Sequence, residues 1–217
     1  MKKERNILKL VGVLFTLIIA IPIFTAIING VFFKEETKYM ELIFFGVSSI
    51  FGVILFYINR EELKKSFKKI NKKSLLNVLF IYVILMIISV VYSLITDPIV
   101  KGVSENQQIV TLILKRFPII SFFAIVFSAP FVEEMVMRYY PKKAIKNKVA
   151  YYFFTSIIFG FIHVPSLTSI EALIHFIKYA YMGGFLAYTY LKRDNIWDAI
   201  ILHSLNNLVA FITVLFS

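Results

Sequence analysis

Long apolar runs alternate with shorter polar stretches along the whole chain. Each run approaches the roughly 20 residues that a helix needs to cross the hydrocarbon core of a membrane. Only helices and closed barrels satisfy their backbone groups in lipid, and the runs lack the alternating pattern of barrel strands. The pattern therefore predicts an all-α fold, a polytopic transmembrane helical bundle of about seven spans. The runs cover residues 7–33, 42–58, 75–95, 117–135, 150–168, 177–191 and 196–216.

The composition supports a membrane protein. Of the 217 residues, 59% are hydrophobic, and the mean hydropathy is +0.79, which lies outside the usual balance of soluble domains. The first apolar run is longer than a signal-peptide core and no small-residue cleavage pattern follows it, so we expect a retained helix. The chain has no cysteine, which excludes disulfides, thiolate metal sites and cysteine nucleophiles.

The net charge of +11 is concentrated in four basic clusters, at residues 2–9, 60–73, 138–148 and 192–193. With the predicted spans, all four clusters lie on one side of the membrane. The positive-inside rule makes that side cytoplasmic and places the C-terminus outside. We therefore assign the charge to topology and to contact with anionic membrane lipid, and we expect no nucleic-acid partner. The abundance of lysine, isoleucine and phenylalanine is typical of a bacterial protein, so the expected location is the bacterial cell membrane.

A polar, helix-forming loop at residues 59–74, "NREELKKSFKKINKKS", is the clearest internal boundary. It divides the chain into residues 1–74, a transmembrane pair with a basic cytoplasmic loop, and residues 75–217, a transmembrane bundle that carries the candidate chemistry. A short amphipathic stretch, "QQIVTLILKRF" at residues 107–117, is expected to lie along the membrane interface without a chemical role.

Ionisable side chains at membrane depth cost about 2.5–3.5 kcal/mol each, so those in the apolar runs are functional candidates. Glu133, Glu134 and Arg138 end the fourth run. Glu134 and Arg138 are four residues apart and can pair on one helix face. Glu133 points about 100° away from Glu134, which leaves its carboxylate available for chemistry.

Two histidines lie in later apolar runs. His163 stands in "FGFIHVP", with Phe159 one turn before it, and His203 stands in "AIILHSLNN", with Asn207 one turn after it on the same face. A single histidine in a helix is more often a hydrogen-bonded packing residue. Two histidines, an asparagine and an unpaired glutamate on three helices of one bundle instead favour a functional site.

These residue types complement one another chemically. A glutamate kept ionised by a nearby histidine can take a proton from water, which becomes the nucleophile. A histidine and an asparagine can donate hydrogen bonds to an oxyanion, worth about 3–4 kcal/mol per donor. The set Glu133, His163 and His203 also fits a catalytic zinc ion. The sequence thus leaves two cofactor predictions open: none is required, or a divalent metal such as zinc is bound.

Three short motifs resemble those of a known family. "EEMVMR" (133–138), "FGFIH" (159–163) and "HSLNN" (203–207) match EExxxR, FxxxH and HxxxN in order and spacing. They resemble the CAAX protease and bacteriocin-processing family of intramembrane endopeptidases, also called the Abi or CAAX-protease self-immunity family. The resemblance covers about residues 115–212.

The resemblance implies a role for each matching residue. Glu133 would activate water together with His163, while His203 and Asn207 would stabilise the oxyanion. The supporting residues would be Glu134, Arg138 and Phe159.

The leading functional prediction is an intramembrane endopeptidase that hydrolyses a peptide bond of a membrane-associated protein or peptide, in a cleft open to the cytoplasm. The substrate would be a prenylated CAAX protein or a bacterial secreted peptide or its leader. The alternative is a non-catalytic membrane protein that binds a peptide or a membrane partner and confers immunity, such as bacteriocin immunity, or regulates signalling. A small proton-coupled transporter is less favoured, because the chain is short and shows no repeat.

Overall fold

The computed structural model describes residues 2–33, 39–100 and 102–216, with the side chains of residues 2, 3 and 105 outside the description. The described residues contain helices and no strand, which confirms the predicted all-α class. The helices are α1 (Glu4–Phe33), α2 (Met40–Phe67), α3 (Lys72–Thr96), α4 (Glu105–Arg116), α5 (Pro118–Ala144), α6 (Lys148–His163), α7 (Ile170–Arg193) and α8 (Ile196–Leu215).

Among the described residues, five helices are long and apolar enough to cross a membrane, namely α1, α2, α3, α5 and α8. The other two predicted spans fall on α6 and α7, which pack against each other. Helix α6 has 16 residues and ends at His163, so it is shorter than the roughly 20 residues of a full span. Helix α7 carries Glu171, His175 and Lys178 in its first half, and these polar residues lower its hydropathy. The chain is therefore a helical membrane protein in which the pair α6 and α7 accompanies the five helices that could cross a membrane.

Asparagine and serine residues fix where several helices begin. At the start of α3, α4, α6, α7 and α8, a side-chain oxygen accepts a hydrogen bond from a backbone N–H of the first turn. Such N-caps satisfy donors that have no partner within the helix. The capping residues are Asn71, Ser104, Asn147, Ser169 and Asn195.

The four basic clusters meet at one end of the bundle. The Asn6 side chain donates a hydrogen bond to the Lys143 carbonyl over 2.9 Å, and Lys143 Nζ lies 2.8 Å from Glu62. Arg193 Nη2 donates to the Lys69 carbonyl over 2.9 Å. These contacts tie all four clusters together, which agrees with the charge pattern. The side of the membrane that this end faces stays a prediction.

One hydrophobic core joins the two predicted parts of the chain. Leu10, Leu55 and Leu63 from the first part belong to the same buried cluster as Val132 of α5 and Leu202 of α8. The boundary near residue 74 is therefore a turn between α2 and α3 inside one packed unit, and a division of function there stays a prediction.

Within the described ranges, three π-helical turns widen the long helices, and each ends two residues before a proline. Proline has no N–H, and its ring clashes with the carbonyl four residues earlier in a regular α-helix. A wider turn with hydrogen bonds between residues five apart relieves this clash. Two of the turns lie in α5, on either side of Glu133 and Glu134. The turns are Thr16–Ala20 before Pro22, Ala124–Ser128 before Pro130, and Met135–Tyr139 before Pro141.

Candidate active site

A buried polar network surrounds Glu134. The side chains of Glu134 and Arg138 are fully buried, and Arg138 Nη1 lies 3.1 Å from Glu134 Oε1, as their spacing predicts. The same carboxylate oxygen lies 2.9 Å from His203 Nδ1 on α8. Arg138 Nη2 also donates to the Gly183 carbonyl of α7 over 3.2 Å. Glu134 and Arg138 therefore connect α5 to α7 and α8, and the sequence had not predicted the contact with His203.

The ring of Phe159 contacts Arg138 and both histidines of the site. The Arg138 guanidinium carbon lies 4.4 Å from the Phe159 ring centroid, a cation–π distance. The rings of His163 and His203 lie 4.3 Å and 5.7 Å from the same ring. Phe159 is 1% exposed and also lines the cavity, so its ring is packed among the residues of the site. This position is compatible with the predicted supporting role.

His163 and Glu133 face each other across a gap. His163 Nδ1 lies 2.8 Å from the Phe159 carbonyl, and because a carbonyl only accepts, this nitrogen carries the proton. His163 Nε2 then faces Glu133 Oε2 at 3.7 Å, which is too long for a direct hydrogen bond. Glu133 Oε2 has no hydrogen-bond partner among the described residues. A water molecule in the cavity beside the two atoms would reach both.

Asn207 is hydrogen-bonded to a backbone carbonyl of α5 that has no donor within its own helix, because the residue that could donate is a proline. In a regular helix the Ile125 carbonyl would accept from the Ala129 N–H, but the π-helical turn directs that N–H to Ala124. The next candidate donor would be residue 130, a proline, which has no N–H. The Ile125 carbonyl instead accepts from Asn207 Nδ2 over 2.9 Å. The distorted backbone of α5 thus anchors a side chain of α8.

The four predicted catalytic side chains line one cavity. Its volume is about 680 Å³, and most of its walls are apolar. Glu133 is 22% exposed and His163 is 11% exposed, so solvent access to the centre is narrow. Helices α1, α2 and α4 also contribute residues to the wall of the cavity. The residues that the motifs single out on α5, α6 and α8 are therefore close in space: Glu133, His163, His203 and Asn207.

Sequence reasoning missed two parts of this cavity. Helix α4 contributes Gln107 and Ile113 to the wall, and Ile113 and Leu114 are buried, so its apolar face contacts protein. The amphipathic pattern of α4 gave the signal, but it does not distinguish a membrane interface from a cavity wall. Tyr179 of α7 also lines the cavity and stacks on His163, and no sequence pattern indicated this contact.

The predicted zinc ligands do not form a compact set. Across the described ranges, no three His, Cys, Asp or Glu side chains are grouped closely enough to hold a metal ion. His203 directs Nδ1 to Glu134, whereas His163 directs Nε2 to Glu133. The set Glu133, His163 and His203 therefore does not fit a zinc site as arranged, and the use of a metal stays a prediction that a chelator tests.

The fold and the site define an all-helical membrane protein with a glutamate–histidine centre inside its bundle. Residues 115–209 match the family described as type II CAAX prenyl endopeptidase Rce1-like, which confirms the resemblance. The match covers a little under half of the chain and includes α5, α6, α7 and most of α8.

The remaining comparisons add no relative. No curated protein and no solved structure matches the chain. Helices α1, α2 and α3 and nearly all of α4 lie outside the family match, so part of the cavity wall comes from a region that the match does not describe.

Proposed function

We propose that this protein is an intramembrane endopeptidase that hydrolyses a peptide bond of a membrane-associated protein or peptide in the cavity. The observation that carries the proposal is the 3.7 Å gap between His163 Nε2 and Glu133 Oε2. An unpaired carboxylate oxygen beside an imidazole nitrogen at the edge of a cavity is suited to activate a water molecule that contacts both atoms from the cavity side. The family match to endopeptidases supports the same reaction.

The reaction follows from the positions of these groups. Glu133 takes a proton from the water, whose oxygen attacks the peptide carbonyl, and His163 Nε2 accepts the hydrogen bond that orients the water. The carbonyl oxygen becomes an oxyanion. Protonated Glu133 then gives its proton to the leaving nitrogen as the C–N bond breaks, which leaves a carboxylic acid and an amine.

His203 and Asn207 are the proposed oxyanion donors. When both His203 ring nitrogens carry protons, Nδ1–H donates to Glu134 and Nε2–H is available to the substrate. Asn207 uses one N–H on the Ile125 carbonyl and retains a second N–H, because its amide carries two. Fixed donors in a site with little water stabilise developing charge better than mobile water does.

The cavity indicates the kind of substrate. Its volume of about 680 Å³ and apolar walls suit a lipid-embedded or lipidated peptide segment. The name of the matched family specifies CAAX prenyl endopeptidases, so a prenylated CAAX peptide is one candidate, and a secreted peptide or its leader is the other. We place the protein in the bacterial cell membrane with its basic end in the cytoplasm, because the four basic clusters lie together.

Purified protein in detergent tests the proposal. The probe is an internally quenched peptide that ends in a prenylated CAAX motif, with the unprenylated peptide as control. Proteomic comparison of membranes that contain wild-type protein or Glu133→Ala then searches for other substrates. If neither assay detects cleavage that depends on Glu133, the peptidase proposal is wrong.

Treatment with a chelator tests whether the activity needs a metal ion. Activity that survives dialysis against EDTA supports direct activation of water by Glu133. Activity that is lost and then restored by zinc alone would show that a metal takes part.

A further inference from the structure

Tyr179 contacts the centre from outside the three motifs. Its ring stacks on the His163 imidazole, with centroids 4.4 Å apart and planes inclined by 20°. Phe159 contacts the same imidazole at 4.3 Å, so His163 is held between two aromatic rings. Stacking of this kind limits rotation of the imidazole about its side-chain bonds.

The hydroxyl of Tyr179 contacts a different element. It lies 3.1 Å from Ser104 Oγ, and Asn106 Nδ2 donates to it over 3.2 Å. Ser104 is also the N-cap of α4, where its Oγ accepts from the Gln107 N–H. The start of α4, which forms one wall of the cavity, is therefore hydrogen-bonded to the residue that stacks on His163.

Helix α4 packs into the bundle near its C-terminal end, where Leu114 belongs to a buried cluster with residues of α5 and α8. Phe117 alone separates its last residue, Arg116, from Pro118 at the start of α5, so its C-terminal end is tied to α5. At its N-terminal end, the described side chains of Ser104 and Asn106 hold it to α7 through Tyr179. A helix fixed at one end and held by hydrogen bonds at the other can open and close a cavity wall.

We propose that Tyr179 is a positioning residue that couples the α4 wall of the cavity to His163. The ring limits rotation of the His163 imidazole. The hydroxyl holds the start of α4 in place at the cavity through Ser104 and Asn106, and these two contacts are called the latch below. The proposal rests on the proposed peptidase function only for its kinetic consequences, because the latch itself is a property of the structure. It also extends the site beyond the family match, since Ser104 and Asn106 lie before residue 115.

The latch is tested without any substrate. The chain has no cysteine, so Val110→Cys gives a single thiol at a partly buried cavity position in the middle of α4, away from its fixed end. The measurement is its rate of labelling by N-ethylmaleimide. Tyr179→Phe should raise this rate about 3- to 10-fold, the range expected for the loss of one or two net hydrogen bonds.

Tyr181→Phe is the matched control. Tyr181 lies on the same helix and also contacts a serine hydroxyl, Ser89 Oγ at 3.1 Å, but its ring faces Tyr92. This control should leave the labelling rate of the introduced thiol unchanged. Equal labelling with and without Tyr179→Phe would overturn the latch.

The ring is tested by chemical modification of His163. Tyr179→Leu removes the stacking, so carbethoxylation of His163 by diethyl pyrocarbonate, followed by mass spectrometry, should accelerate at least about threefold. His175 is the internal reference and should react at its wild-type rate. Tyr179→Phe keeps the ring and should leave His163 protected. If His163 reacts equally in all three proteins, the ring does not position it.

Kinetics on the quenched CAAX peptide separate the two roles. Tyr179→Phe should keep kcat within about twofold and change KM, whereas Tyr179→Leu should lower kcat about tenfold or more per folded molecule. A merely structural role would instead change the folded fraction and leave kcat per folded molecule the same in both variants. If wild-type protein does not cleave the peptide, the proposed function fails, but the labelling and modification rates still decide this proposal.

Discussion

His203 Nδ1 on α8 lies 2.9 Å from Glu134 Oε1 on α5. Two adjacent glutamates thus take different directions, because successive helical residues point about 100° apart. Glu134 is buried against Arg138 and His203, while Glu133 reaches the cavity beside His163. Glu134 thus has a structural role, whereas Glu133 is the residue proposed to act in the chemistry. Substitution of each glutamate by glutamine distinguishes the two roles.

Glu133→Gln is expected to lower turnover about 10²- to 10⁴-fold, the usual range for loss of a general base. Glutamine keeps the side-chain volume, and the Glu134 network does not include this residue, so the melting temperature should stay near that of wild type. The measurement is cleavage per molecule of folded protein in detergent. Near wild-type turnover would rule out the mechanism, and full retention of a protective phenotype without cleavage would favour a non-catalytic immunity protein.

Glu134→Gln is expected to destabilise the fold by about 3–5 kcal/mol, because it leaves the buried Arg138 charge without its carboxylate partner. The measurements are the melting temperature in detergent and the abundance in membranes. The double variant with Arg138→Met should lose less stability than the two single variants predict together. If the Glu134→Gln protein has the same melting temperature as the wild type, the ion pair of Glu134 and Arg138 does not stabilise the bundle.

The sequence predicted the helices and the contact of Glu134 with Arg138 because both have local signals. Apolar runs locate the helices, and the i, i+4 spacing of Glu134 and Arg138 predicts their contact. The partners of His203 and Tyr179 had no such signal, because they depend on how distant helices pack. The same limit explains why α4 was expected at the membrane interface and not in the cavity wall, because its amphipathic face fits either surface.

Pro130→Ala is expected to impair activity through Asn207. Alanine restores a backbone N–H and permits a regular helix, so the Ile125 carbonyl would regain a donor within α5 and release Asn207. The test is a double-mutant cycle of Pro130→Ala and Asn207→Ala, measured as kcat per folded molecule. The double variant should be no worse than the more impaired single variant. Fully additive losses would contradict the link between the proline and the asparagine.

Gly183→Ala and Gly184→Ala form a matched pair at the contact of α6 with α7. A methyl group at residue 183 would lie 3.1 Å from the Ser156 Cα atom, part of the backbone, and 3.0 Å from Phe159 Cβ. At residue 184 it would meet only the Ser156 hydroxyl, at 3.3 Å, and that group can rotate. We expect Gly183→Ala to lower the melting temperature, because the Ser156 backbone cannot move aside easily. We expect Gly184→Ala to be close to neutral, because the helix propensity of alanine, about 1 kcal/mol better than that of glycine, offsets the close contact with the Ser156 hydroxyl.

The carbonyl of Gly183 makes the comparison informative, since it accepts a hydrogen bond from Arg138. Displacement of α7 would therefore disturb the Glu134 network as well as the packing. If both variants melt at the wild-type temperature, the close contact of α7 with α6 at residue 183 does not contribute to stability.

The topology is tested with reporter fusions. A reporter fused after Lys69 should be cytoplasmic, and one fused after Phe216 should be outside, because the basic end of the bundle should face the cytoplasm. The readout is a pair of enzymes that are active on opposite sides of the membrane. An external signal after Lys69 would reverse the orientation and with it the side from which substrates enter.

The mixed origin of the cavity walls has a consequence for how such proteins diversify. The proposed reacting groups lie on α5, α6 and α8, within the matched segment, while α1, α2 and α4 line the same cavity from outside it. An exchange of residues 1–114 would thus change which substrates fit, while the candidate catalytic side chains stay the same. A chimera that joins residues 1–114 of one such protein to the remainder of another would change the substrate, provided that the packing of Leu10, Leu55 and Leu63 in the shared core is preserved.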